Sequence, residues 1–219
     1  MSRTPLVVLA AGAVALAVAS PRDAPSAAAD AAPGPRLVII GGGDRPPEAL
    51  ARFVGWAGGA SSRILVIPWG SGEPAESCEA ILSELAAVKA RSAAGVVFGG
   101  TSAGAAVMSA RMITGDGDFT VIDGEKVGVR PGLGLVEGVI VDQHFVKRQR
   151  QNRLFGLVLK HPGERGVGID EDTALLVTGG RYAEVVGRGP VVLVDAKGSD
   201  RLEVTLLRAG QRTDLRQRP

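Results

Sequence analysis

Few residues in this chain could carry nucleophilic chemistry, so those few can be taken in turn. There are 219 residues, two histidines (His144 and His161) and one cysteine, Cys78. The stretch VVFGGTSAGAAVMSARM, Val96 to Met112, holds the sharpest pattern: Gly100-Thr101-Ser102-Ala103-Gly104 fits G-x-S-x-G. A serine at a tight strand-to-helix turn sits on a strained backbone, so its neighbours must be small. Gly99, Gly100, Ala103, Gly104, Ala105 and Ala106 supply that shell. The Ala103 N–H, opening the helix-like run, is placed to donate to a developing oxyanion.

A serine nucleophile needs a base. His144 ends the apolar run of VIVDQHFVKRQR, whereas His161 in LKHPG reads as a helix-end cap. In parallel sheets the carboxyl ends of strands line one crevice, so His144 and Ser102 are expected to share it. A third group should orient the imidazole. Glu171 in GIDEDTAL also follows an apolar run and is preferred; Asp116 and Asp118 in TGDGDF stay open. Cys78, in AESCEAILSEL, reads as an inert helix residue. A single cysteine excludes an intrachain disulfide and a CxxC site. No cofactor is expected, and no metal-ligand spacing is present.

The elements that must position these residues read as strand and helix in alternation. RLVIIGGG is a strand feeding a glycine turn, and PPEALARFVGWAGG a helix with proline in its first turn and glycine at its end. SRILVIPWG is a second strand, PAESCEAILSELAAVKARSAA a long helix, and GVVFGG the strand before Ser102. Continuous apolar runs between helices predict an α/β fold, a mostly parallel sheet with helices on both faces. Further on, MITGDGDF reads as a loop, Gly138–Asp142 as a strand, and VKRQRQNRLFGLVLKHPG as a helix. Residues 166–196 read as three short strands, LEVTLLRAG as a last one, and 211–219 as a frayed end. The glycines of IIGGGDRPPEAL do not reproduce G-x-G-x-x-G, and no P-loop lysine follows.

Composition narrows the function classes. Apolar residues are 45%, charged residues 22% and aromatics 4%, with a net charge of +2. That is a folded chain with neither the basic surplus nor the stacking rings that nucleic-acid binding uses. At the start, MSRTPLVVLAAGAVALAVAS has Arg3, an apolar run from Leu6 to Ala19, and small residues at Ala17 and Ala19. This is the pattern of a secretory signal peptide over 1–19, cut after Ala19. Residues 20–35 form a Pro/Ala/Ser linker, and one domain covers 36–219. A secreted or periplasmic protein, with no membrane segment once the leader is removed, is the expectation.

Three ordered motifs, GGTSAGAAVMSARMI, GLGLVEGVIVDQHFVKRQRQNRL and GVGIDEDTAL, resemble the cyanophycinase branch of peptidase family S51, which also contains aspartyl dipeptidase. The opening strands LVIIGGGDRPPEAL and RILVIPWGS resemble it too, so the likeness covers most of Arg36 to Ala196. The resemblance implies a class I glutamine-amidotransferase-like fold and a serine peptidase with a Ser-His-Glu triad, falling here on Ser102, His144 and Glu171. It implies cyanophycin, an arginine-decorated polyaspartate, as the substrate and β-Asp-Arg as the product. Arg148, Arg150 and Arg153 match the family's arginine pattern after the histidine, and guanidinium groups grip carboxylates in pairs. Asp142 and Gln143 match substrate-pocket positions.

The chain departs from the family between its second strand and the serine turn. Family members carry there a strand ending in a Thr-Gly-Gly-Asp-Gln-like loop, which gives a second oxyanion donor and a substrate-binding glutamine. Here one helix joins VIPWG to GVVFGG, as if about two strand–helix units were absent. Losing one oxyanion donor costs roughly 100- to 1000-fold in turnover. A catalytically weak or inactive member that binds acidic or Asp-Arg peptides is therefore the alternative expectation. Lost interior strands also make a compensating homodimer the assembly to check.

Overall fold

The computed structural model describes residues 6–10, 34–59, 63–66 and 97–217. Strands β1 (Leu6–Ala10), β2 (Arg36–Ile40), β3 (Arg63–Val66), β4 (Val97–Thr101), β9 (Thr173–Thr178), β10 (Tyr182–Gly187) and β13 (Arg212–Asp214) form one sheet. Its order is β13-β10-β9-β2-β4-β1-β3. Strands β7 (Val139–Gln143), β8 (Arg165–Ile169), β11 (Val191–Ala196) and β12 (Leu202–Leu207) form a second sheet, in order β12-β11-β8-β7. Strands β5 (Arg111–Gly117) and β6 (Val127–Pro131) make a separate hairpin. The helices among the described residues are α1 (Pro47–Trp56), the single turn α2 (Ala103–Ala106) and α3 (Gln151–Lys160).

Side-chain alternation assigns the faces of β2. Val38 and Ile40 join Ala49, Phe53 and Ala57 beneath α1. Leu37 and Ile39 point the other way, into a core shared with Val139 and Val141 of β7, Val167 and Ile169 of β8, and Leu193 of β11. On the outer face of the second sheet, Leu154, Leu157 and Val158 of α3 cover Ile140, Val192 and Val194. Their i, i+3, i+4 spacing is that of one helical stripe. The layers therefore run α1, first sheet, second sheet, α3.

This corrects the expectation of one mostly parallel sheet with helices on both faces. The fold is α/β, but both sheets are mixed. Strand β2 runs parallel to β4 and β1 runs parallel to β3 and β4, while β9 is antiparallel to β2 and β10 antiparallel to β9. Hairpin turns cause the reversal. Between β9 and β10, Gly179 and Gly180 both take φ 61, and the Arg181 N–H donates to the Thr178 carbonyl at 3.1 Å. Positive φ at both central residues is the turn that matches strand twist. Each sheet has a helix on one face and the other sheet on its second.

Smaller corrections have local causes. The glycine-rich stretch read as a loop is β5, whose register with β6 shifts between Ile113 and Gly117 as a bulge. Residues 165–196 hold four strands, β8 to β11, rather than three. The end read as frayed contains β13 and the buried Leu215, and Arg165 reaches the Asp214 and Leu215 carbonyls. The helix-like run after Ser102 lasts one turn, because the Val107 and Met108 carbonyls turn to the Leu133 and Leu135 N–H groups. Helix α3 starts only at Gln151, after a turn over 144–150. The linker (20–33), the long helix (74–94), Cys78 and most of the leader lie outside the described residues. Within the apolar leader run, Leu6–Ala10 pairs with β4 on one side and β3 on the other. No described helix is long and apolar enough to cross a membrane.

Candidate active site

Strand β4 delivers Ser102 to the end of the first sheet. The serine takes φ 54 and ψ −120, a left-handed conformation that costs a non-glycine residue about 1–3 kcal/mol. The turn is tight enough that a Cβ on Gly100 would stand 2.1 Å from the Gly104 carbonyl oxygen. Two facts hold the strained residue: its N–H donates to the Ile40 carbonyl at 3.1 Å, and its carbonyl accepts from Ala105 at 2.8 Å. The Ala103 N–H, at the exposed start of α2, has no acceptor among the described residues.

Strand β7 delivers His144 from the second sheet, also at positive φ (49). Its Nε2 lies 2.9 Å from Ser102 Oγ, and its Nδ1 lies 2.7 Å from Glu171 Oε1. Glu171 sits in the link between β8 and β9, where the chain passes from one sheet to the other. The three side chains thus form one hydrogen-bonded line. Asp116 and Asp118 are engaged elsewhere, with Thr114 and Thr120 respectively. His161 caps α3 through its N–H to the Leu157 carbonyl.

The electrostatics favour a neutral imidazole. Burial disfavours the charged form and pulls the His144 pKa below its ordinary 6.5. The Arg148 and Arg150 guanidinium groups push the same way, against the hydrogen bond and charge of Glu171. Accepting from His144 through its Nδ1–H leaves Nε2 as the acceptor facing Ser102.

The residues expected to touch substrate divide. Asp142 is fully buried and Arg153 is 1% exposed. They form a two-pronged ion pair, Arg153 Nε donating to Asp142 Oδ2 at 2.8 Å and Nη2 to Oδ1. The guanidinium carbon also lies 4.9 Å from the Phe119 ring centroid. Both side chains are sealed in the protein, which corrects their reading as substrate contacts: each satisfies the other, and neither offers surface. Arg150 donates to the Gln143 carbonyl at 3.0 Å and to Gln143 Oε1 at 2.7 Å, and burial with Arg153 nearby pushes its pKa down to about 10. Gln143 therefore keeps its amide N–H groups as its remaining donors. Arg148 is half-exposed, with Nε 3.7 Å from Glu171 Oε1.

Sequence reasoning missed Asp170. Its Oδ1 accepts the Val146 N–H at 3.1 Å and the Lys147 N–H at 2.9 Å, tying down the turn that carries His144. Its place beside Glu171 was the only signal.

The family model of peptidase family S51 matches residues 79–185, a span that contains Ser102, His144 and Glu171. A cyanophycinase of Geminocystis herdmanii (strain PCC 6308) is 45% identical over 102 residues, 47% of this chain and 38% of that protein. A cyanophycinase of Trichormus variabilis (strain ATCC 29413 / PCC 7937) is 45% identical over 100 residues, 46% of this chain and 34% of its own length. The match to this chain thus spans little more than a third of these relatives. The crystal structure of a peptidase from an acI-B1 Actinobacterium is similar in fold, with TM-score 0.51 at 17% identity, covering 83% of this chain and 97% of that one.

Proposed function

We propose, from the match of residues 79–185 to the family model of peptidase family S51, that this chain belongs to that family and is a serine-type peptidase of cyanophycinase kind. Its substrate is cyanophycin or a related aspartate-containing peptide, and β-Asp-Arg is the product. The observation that carries the reading is the unbroken line from Ser102 Oγ through His144 to Glu171 on a strained serine turn.

In this reading Ser102 Oγ attacks the scissile carbonyl carbon while His144 Nε2 takes the hydroxyl proton. Glu171 holds the imidazole by its Nδ1–H and stabilises the imidazolium. The Ala103 N–H donates to the oxyanion. Collapse of the tetrahedral intermediate breaks the C–N bond, and His144 returns the proton to the leaving amine. Water, deprotonated by His144, then cleaves the acyl-enzyme ester and frees Ser102. Arg148 is the cation placed to meet a substrate carboxylate, and Gln143, fixed by Arg150, offers amide donors beside it. Export, with cleavage after Ala19, belongs to the same proposal: an enzyme outside the cell would scavenge external polymer.

The test is release of β-Asp-Arg from purified cyanophycin by the wild-type chain beside Ser102→Ala. Release confined to wild type, with covalent labelling of Ser102 by a serine-directed phosphonate, is the expected result. Equal activity in the variant sinks it. A second reading, a weak or inactive member that binds acidic or Asp-Arg peptides, draws on the burial of Asp142 and Arg153, which removes two charged groups from any substrate surface. It is favoured by salt-sensitive peptide binding, weakened in Arg148→Gln, from a chain that releases no product.

A further inference from the structure

The glycine run Gly41-Gly42-Gly43, which fits no nucleotide-binding pattern, ends β2 directly under the site. Three consecutive carbonyls of this segment each receive one N–H. Ile40 accepts from Ser102 at 3.1 Å, Gly41 from His144 at 2.7 Å, and Gly42 from Asp172 at 2.9 Å. The three donors share a property. Ser102, His144 and Asp172 have φ of 54, 49 and 56, and the only other non-glycine residue at positive φ among those described is Gln149. Each of the three donors is either a member of the Ser–His–Glu line or adjoins its acid. The segment is itself anchored, by the Gly41 N–H to the Thr173 carbonyl at 3.0 Å and the Asp44 N–H to Asp172 Oδ1 at 2.7 Å.

The glycines are required by space as well as by φ. A Cβ on Gly41 would meet the Asp170 carbonyl oxygen at 2.1 Å. On Gly42 it would stand 2.1 Å from His144 Cε1 and 2.4 Å from Nε2, the nitrogen that faces Ser102. Gly42 and Gly43 also take φ of 112 and 67. The imidazole therefore occupies the volume that a side chain at position 42 would fill.

We propose that Ile40–Gly43 is the positioning element of the site: a backbone template that sets the spacing of nucleophile, base and acid, with Gly42 as the residue that admits the His144 ring. This deepens the serine-peptidase reading and rests on it for its consequence in turnover, but the geometry of His144 can be read without any turnover.

The test uses the full chain labelled with 13C at histidine Cε1, where only His144 and His161 contribute signals. In wild type, His144 titrates below the ordinary histidine range. In Gly42→Ala, with fold verified by circular dichroism, the ring is displaced toward solvent. Its titration midpoint rises, the His161 midpoint stays, and phosphonate labelling of Ser102 slows by about 100-fold, the cost of an ångström-scale misplacement. Gly55→Ala, where a Cβ meets nothing within 4 Å, changes neither. If Gly42→Ala does not fold, the Asp172 pair decides. Asp172→Asn keeps the acceptor for Asp44 and tolerates positive φ, so it labels as wild type does, while Asp172→Ala is about tenfold slower, as expected for one lost positioning bond. A folded Gly42→Ala with unchanged titration and labelling, or identical behaviour of the two Asp172 variants, overturns the proposal. A wild type that neither labels nor cleaves, but whose His144 titration follows Gly42, overturns the peptidase reading and leaves the template standing.

Discussion

Glu171 Oε1 faces both the base and a standing cation: it lies 2.7 Å from His144 Nδ1 and 3.7 Å from Arg148 Nε. Arg148 therefore acts on the base from both sides, drawing on the carboxylate that favours imidazolium and adding its own repulsion. The pH dependence follows in sign. The neutral imidazole is the working form, so kcat/KM rises with pH through the His144 pKa, which lies below the ordinary range. Arg148→Gln removes a positive neighbour and moves that midpoint up. A pH–rate profile of the two proteins checks it, and a midpoint that stays or falls contradicts the assignment.

Glu171→Gln should do the opposite to the midpoint, because it removes the groups that favour the charged ring. It should also cost about 10^4-fold in kcat, as loss of the orienting carboxylate does in related triads. Single-turnover kinetics on the variant measures both.

Gly100→Ala tests the serine turn. Its Cβ would press on the Gly104 backbone at 2.1 Å, and backbone cannot swing away as a side-chain tip can. Overpacking of this kind destabilises by about 1–3 kcal/mol. A fall in melting temperature with slower Ser102 labelling is expected; an unaltered melting curve would show that the turn has room.

Asp142 and Arg153 predict a stability effect rather than a binding effect. Removing one partner leaves the other charged and buried, at a cost of about 3–5 kcal/mol. Asp142→Leu and Arg153→Met should each destabilise by that order in urea titration, and the double variant should recover most of the loss. If the single variants unfold like wild type but raise KM, the pair faces substrate after all.

Export predicts Ser20 as the first residue of the mature protein. That cleavage removes β1 from between β3 and β4, so β4 would gain an unpaired edge. Mass spectrometry of protein recovered outside the cell reads the terminus directly, and Met1 or Ser2 there would contradict processing.

Much of the fold was legible where one residue pattern admits one structure. β2, α1, β4 and β7 fall within a residue or two of the runs read for them. What covers a strand was not legible. Leu37 and Ile39 read as buried, and they are, but an apolar run does not say whether a helix or another sheet lies over it. The bulged β5 was hidden because Gly115 and Gly117 look like loop residues. At the site, Ser102 and His144 were nameable from type and spacing, while Glu171 was only preferred over Asp116 and Asp118 until the family resemblance pointed to it; Asp142 and Arg153 show the limit of that method. A charge near a catalytic motif looks alike in sequence whether it faces solvent or is locked to a partner eleven residues away. Asp170 acts on the main-chain N–H groups of Val146 and Lys147, and Gly42 through its own carbonyl and its missing side chain; main-chain groups have no letter of their own.

Ser102 hangs from the first sheet and His144 from the second, across a seam of apolar side chains crossed by a few polar contacts, among them the His144 N–H to the Gly41 carbonyl and Arg165 to the Asp214 carbonyl. The 2.9 Å bond between them is therefore a gauge of how the sheets are seated on one another. A slip of an ångström at that seam would leave both sheets, their hydrogen bonds and the circular dichroism of the chain intact, yet part the serine from its base. Under mild denaturant or heat, reactivity at Ser102 should then vanish well before secondary structure does, and loosening of the seam, rather than melting of strands, would set the working limits of the protein.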